Sequence, residues 1–178
     1  MERLLYGDIS LECVNKFCYL GDMISAGDSV EAAVNARIRS GWRKFRELLP
    51  LLTSKGTSLR LKGKLYTACI GSVMLYGSET WVIKQEDERR YDRNEMRMVR
   101  WMCDVTVKDR KSNVELRERF GRESISEVMR RGRLRWFGHV ERMWLGRCVG
   151  RCINMNINGR RARGHPRKTR DLLLRDDL

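Results

Sequence analysis

Apolar and polar positions change rhythm along the chain. Over residues 1–27, the short runs LLY, ISLECV and FCYLGDMI, divided by Gly7-Asp8, predict a short sheet or hairpin. From residue 28 the period becomes helical: Val30, Val34, Ile38, Trp42 and Phe45 recur at three- and four-residue intervals behind a capping-box-like Asp28 and Glu31. Pro50 is expected to close that helix. A Gly-Thr-Ser turn at 56–58 leads to a second helix, with Leu61, Leu65, Cys69, Val73 and Met74 as its buried stripe and Gly77 as its end. A third is predicted from Gln85 to about Cys103, with Tyr91, Met98, Val99 and Met102 inward and Glu86, Asp87 and Glu88 at the positive end of its dipole. Ser112 with Glu115 and Ser124 with Glu127 are S-x-x-E signals that head two further helices.

The last of these contains RRGRLRWFGHVERM, residues 130–143. Drawn at 3.6 residues per turn, Ile125, Val128, Met129, Gly132, Trp136, Val140 and Met143 share one face, expected to be buried with Trp136 as its anchor. Arg131, Arg135 and Arg142 fall on a different face, with Gly138 between them. A solvated outer face is the ordinary meaning of such a pattern. His139 lies at the edge of the apolar face, a position that suits a structural role better than a catalytic one. From Arg147 to Arg170 no acidic residue occurs. Arg160, Arg161, Arg163, Arg167 and Lys168 make this a basic arm, expected to be poorly ordered when free and to bind polyanions. The closing DLLLRDDL starts like a helix without room to finish. The expected fold is therefore mainly α: a hairpin over 1–27, a helical bundle over 28–143 and a basic tail over 144–178.

Composition sharpens the functional side of that picture. The 178 residues carry a net charge of +14 and a pI near 10.0, a surface that attracts nucleic acid first and anionic membrane second. The longest uncharged run, LYTACIGSVMLYGS, is shorter than the roughly 18 apolar residues of a membrane span and reads as a buried helix. The N-terminus has no signal-peptide or transit-peptide character, which predicts an intracellular protein of the nucleus or cytoplasm, not a secreted one, with reduced thiols. Cys13, Cys18, Cys69 and Cys103 stand among apolar residues and are expected to behave as small hydrophobes. Cys148 and Cys152, with His139 and His165, are weak zinc candidates: C-x-x-x-C is not a usual finger spacing, and unpaired thiols are the favoured alternative. Phosphate-loop, nucleophile-elbow, metalloprotease and dinucleotide-binding motifs are all missing. No cofactor, small-molecule substrate or membrane partner is expected.

Six stretches together resemble one family. NKFCYLGDMIS, ARIRSGWRKFREL, LKGKLYTACIGSVMLYGSETW, MRMVRWMCDVTVKDRK, RGRLRWFGHVERM and NGRRARGHPRKT occur in the order found at the C-terminal end of reverse transcriptases from non-LTR (LINE-like) retrotransposons. The likeness spans roughly residues 13–170. It implies that FCYLG is similar to the primer grip, which points to Phe17, Tyr19, Leu20 and Gly21 as primer contacts, and that the following helices resemble the thumb and post-thumb. The implied partner is an RNA or DNA primer-template, with Arg131, Arg135 and Arg142 neutralising phosphates without reading bases. The parent enzyme is an RNA-directed DNA polymerase that needs divalent metal, typically Mg, held by aspartates in an aromatic-x-Asp-Asp turn. No such turn precedes FCYLG in this sequence, and the family's G-R-P-x-x-T-W is replaced by GHPRKTR. The chain as it stands is accordingly expected to be no enzyme. The alternatives are a host-adopted, non-enzymatic helical interaction protein and a transposon remnant without function.

Overall fold

Short strands with one apolar face must pair locally before anything can cover them. The computed structural model describes residues 3–6, 9–19, 22–25, 30–143 and 170–177. Its N-terminal part forms two antiparallel hairpins, β1 (Arg3–Tyr6) with β2 (Ile9–Glu12) and β3 (Lys16–Tyr19) with β4 (Asp22–Ser25). In the second hairpin Phe17 stands opposite Ile24 and Cys18 opposite Met23. Strand β4 packs on the first helix, where Met23 touches the hydrophobic core. The opposite face, with Phe17 and Ile24, is exposed. Cys13 and Cys18 are exposed too, contrary to the expected burial. Cys69 and Cys103 are half-buried, and burial pushes the Cys103 thiol up from its ordinary range.

Helix α1 (Glu31–Glu47) buries Ala33, Val34, Ile38, Gly41 and Phe45, the stripe its period demands. Its N-cap is Val30, with no side-chain cap bond, and the expected capping box turns on Asp28. Asp28 lies outside the described residues. Pro50 does not close α1, which ends at Glu47. It occupies the first turn of α2 (Leu49–Thr53), where a missing N–H costs nothing.

Next, α3 (Leu59–Leu65), a π-helical turn (Tyr66–Gly71) and α4 (Ser72–Leu75) run on without a break. The buried line here is Lys62, Tyr66, Ile70 and Met74, one residue on from the expected stripe. Leu61 is exposed, and Leu65, Cys69 and Val73 are half-buried. The π turn widens the helix so that residues four apart stay in register with the core. Lys62 hides this from the sequence: its stem is buried while its ammonium donates to the Met102 carbonyl at 3.3 Å. Gly77, with φ +77°, ends the segment as its sequence predicts.

The central α5 (Gln85–Cys103) turns Tyr91, Met98, Val99 and Met102 inward, and α6 (Asn113–Phe120) and α7 (Ile125–Glu141) pack against it. Ser112 accepts from the Glu115 N–H, and Ser124 with Glu127 forms the full reciprocal capping box. On α7 the buried residues are Ile125, Met129, Arg133 and Val140, while Trp136 is only half-buried. Trp136 is thus not the anchor. Arg133, only 3% exposed, holds that position because Asp177 accepts from its Nε at 2.6 Å and from its Nη2 at 3.0 Å, with Glu88 3.6 Å away. Asp177 belongs to α8 (Arg170–Asp177), a helix formed by the closing DLLLRDDL stretch that starts like one in the sequence, and Leu173 and Leu174 are buried there. It packs on α7, where Arg130 Nε also donates to the Asp177 carbonyl at 2.6 Å.

One buried carboxylate joins the C-terminal helices. Glu95 of α5, 1% exposed, lies 3.4 Å from Arg117 of α6 and 3.7 Å from Arg122, and accepts from the Ile125 N–H at 3.3 Å. Arg117 also pairs with Asp92, and Arg122 lies over the Tyr66 ring at 4.4 Å. Burial raises the Glu95 carboxyl above the usual range, while Arg122, Arg117 and the Ile125 N–H offset part of the rise.

Two predictions follow from this packing. A Cβ at Gly63 would stand 2.6 Å from the Phe120 carbonyl oxygen, a backbone atom that cannot yield without separating α3 from α6. Gly63→Ala should therefore destabilise by about 1–3 kcal/mol, read as a lower urea midpoint. The second concerns pH. Because native Glu95 holds its proton more tightly than the unfolded chain, its contribution to stability falls as pH rises from 4.5 through the raised native value, then levels off. Urea unfolding at pH near 7 and near 4 should show the wild type gaining stability relative to Glu95→Gln on acidification. A constant difference, or one moving the other way, would show that Glu95 is not buried in this manner.

Candidate nucleic-acid interface

Among the exposed cations, two rows are set by helical spacing. On α7, Arg131, Arg135 and Arg142 are all exposed along one side, and the Arg142 guanidinium lies beside Gly138, 3.3 Å from where a Cβ would stand. Arg131 is paired with Glu123 at 2.6 Å, so part of its charge is already neutralised. Arg135 and Arg142 make no ion pair among the described residues. Arg130, Arg131, Leu134 and Arg135 line a shallow groove of about 490 Å³ with Glu127. The Ser124 N–H and hydroxyl engage the Glu127 carboxylate and hold it below its usual range, so this groove carries one ionised acid beside its arginines.

The second row is on α1. Arg39, Arg43 and Arg46 follow at i, i+4 and i+7, all exposed, and none makes an ion pair among the described residues. The sequence reading passed over this row, although the spacing in ARIRSGWRKFREL carries the signal in plain form. Side chains with mobile charged heads and no internal partner are suited to neutralising phosphates.

The hairpin presents the expected aromatic residues. Phe17 and Tyr19, 47% and 58% exposed, stand two apart on β3 and share a face. Leu20 and Gly21 lie outside the described residues. In LYGSETW, Trp81 is in the core, whereas Tyr76 is exposed with the Arg37 guanidinium 4.6 Å above its ring. His139 is exposed on α7. Its proposed zinc partners Cys148, Cys152 and His165, and the arm residues Arg160, Arg161, Arg163, Arg167 and Lys168, lie outside the described residues. Among the described residues no cluster of three His, Cys, Asp or Glu could hold a metal ion, and no helix is long and apolar enough to cross a membrane.

Several arginines that sequence alone cannot separate from these rows are internal. Arg117, Arg122 and Arg133 are engaged by Asp92, Glu95, Glu88 and Asp177. Outside them stand the exposed α1 and α7 arginines and the open aromatic rings of the hairpin.

No family model matches the chain, and no solved structure matches it. Among curated proteins it is 25% identical over 142 residues to an uncharacterized transposon-derived protein of Caenorhabditis elegans. The match covers 77% of this chain and 50% of that protein, so the chain spans about half the length of that relative.

Proposed function

We propose that this chain is of transposon origin and is the primer-grip, thumb and post-thumb portion of a non-LTR reverse transcriptase, binding primer-template through its phosphates. The observation that carries the reading is the exposed arginine row of α7, with Arg135 and Arg142 unengaged by any acid among the described residues. The α1 row and the open Phe17 and Tyr19 face agree with it, as does the likeness to a transposon-derived relative. In this reading the polymerase chemistry and its divalent metal reside in a palm not contained in these 178 residues, and the chain alone is not an enzyme. Its partner is an RNA–DNA or DNA duplex held without sequence preference.

Filter binding of a duplex of about 20 base pairs across a salt series tests the proposal. Binding should weaken steeply as salt rises. Arg131→Glu, Arg135→Glu and Arg142→Glu together should lower affinity at least tenfold and make the log–log salt slope shallower by about two to three, with helicity by circular dichroism unchanged. Salt-insensitive binding, or none at low salt, would sink the proposal.

A further inference from the structure

Away from the α7 row, the corner where α1 crosses α5 assembles side chains that core packing leaves partly open. Trp42 and Phe45 of α1 meet Trp101 of α5, with ring centroids 5.5, 6.4 and 5.7 Å apart. Phe45 is fully buried. Trp42 is half-buried, with its indole N–H donating to Asn94 Oδ1 at 2.9 Å. Trp101 closes the stack yet stays 51% exposed. Its ring meets two aromatic neighbours at tilted angles while half of the residue stays open to solvent.

The charged side chains that adjoin Trp42 are largely of one sign. Arg97, one helical turn before Trp101, reaches over the Trp42 ring at 5.7 Å. Arg39, Arg43 and Arg46 fill the exposed sector of α1 that adjoins Trp42. None of these four arginines makes an ion pair among the described residues. The nearest acid of α1, Glu47, is held by Lys44 at 2.9 Å. Asp104 caps the end of α5 beyond Trp101, on the side away from Arg97. An exposed indole near guanidinium groups that form no ion pair among the described residues is a combination that can bind an unpaired base and its phosphates. A duplex keeps its base faces stacked internally, so a paired strand gains nothing from Trp101.

We infer that this corner is a site for single-stranded nucleic acid, in which a base stacks on Trp101 while Arg97 and the α1 arginines meet the adjoining phosphates. The inference rests on the reading of the chain as nucleic-acid binding and adds to it a strand that is not paired. Because every base offers a π face, the site is indifferent to sequence.

The test titrates the full chain with oligothymidylate of about 20 nucleotides, and separately with a blunt duplex of that length. Anisotropy of the labelled nucleic acid reports binding, and tryptophan fluorescence reports stacking. The single strand should quench the fluorescence. Trp101→Phe should keep most of the affinity and lose much of the quench, and Trp101→Ala should bind about tenfold more weakly. Arg46→Glu with Arg97→Glu should also weaken single-strand binding while circular dichroism stays unchanged. If Trp101→Ala loses helicity, the quench in Trp101→Phe decides. Duplex binding without single-strand binding overturns this inference and leaves the proposed function standing; no binding of either overturns both. Unchanged quench and affinity in the Trp101 variants place any base contact elsewhere and overturn it. A concentration-dependent dimer abolished by Trp101→Ala would make the corner a surface for a second copy of the chain, which also overturns it.

Discussion

The arrangement of the C-terminal helices depends on where Glu95 can put its charge. An ionised carboxylate without partners is very costly in a protein interior. Glu95 is 1% exposed, and it is satisfied from three directions: Arg117 on α6, Arg122 in the following turn, and the Ile125 N–H at the start of α7. Each of those groups is fixed in turn. Arg117 is shared with Asp92, Arg122 lies over Tyr66, and Ser124 and Glu127 cap the helix that supplies the N–H. Moving α6 or α7 would strand a charge, so the carboxylate sets their places relative to α5 and the π turn.

A second buried charge does similar work further along. Arg133 ties α7 to Glu88 of α5 and Asp177 of α8. The strongly basic composition is therefore divided between two tasks. Arg117, Arg122 and Arg133 hold helices together by charge-assisted contacts. Arg39, Arg43, Arg46, Arg135 and Arg142 stand exposed on α1 and α7 and give the surface its positive field.

The hairpin and the helical bundle complement each other in the proposed role. Strand β4 is held on α1 through Met23, which leaves Phe17 and Tyr19 facing outward. In that role the open aromatic rings of the hairpin and the arginine rows of the helices would share the contact with nucleic acid. The α1 and α5 corner adds the exposed Trp101 ring to these surfaces.

How far the sequence reached follows from the range of the forces involved. Hairpins at the N-terminus, α5 with its inward Tyr91, Met98, Val99 and Met102, the Ser112 and Ser124 caps and the Gly77 stop were legible, because each is encoded within a few residues by period, cap or turn chemistry. The α7 row was legible for the same reason, since residues at i and i+4 share a side whatever the helix packs on. Lys62, Glu95 and Arg133 were not. Their burial depends on the Met102 carbonyl 40 residues away, on Arg117 and the Ile125 N–H beyond it, and on Asp177 44 residues on, partners that no local pattern announces. The shift of the α3–α4 stripe and the displacement of Trp136 from the core have the same origin. By itself the sequence determined which segments become helices or hairpins and where exposed arginines align, because backbone hydrogen bonding and side-chain period act over one or two turns. Only the tertiary structure decided which charges are buried and which rings stay open, because desolvation depends on everything that surrounds a group at once.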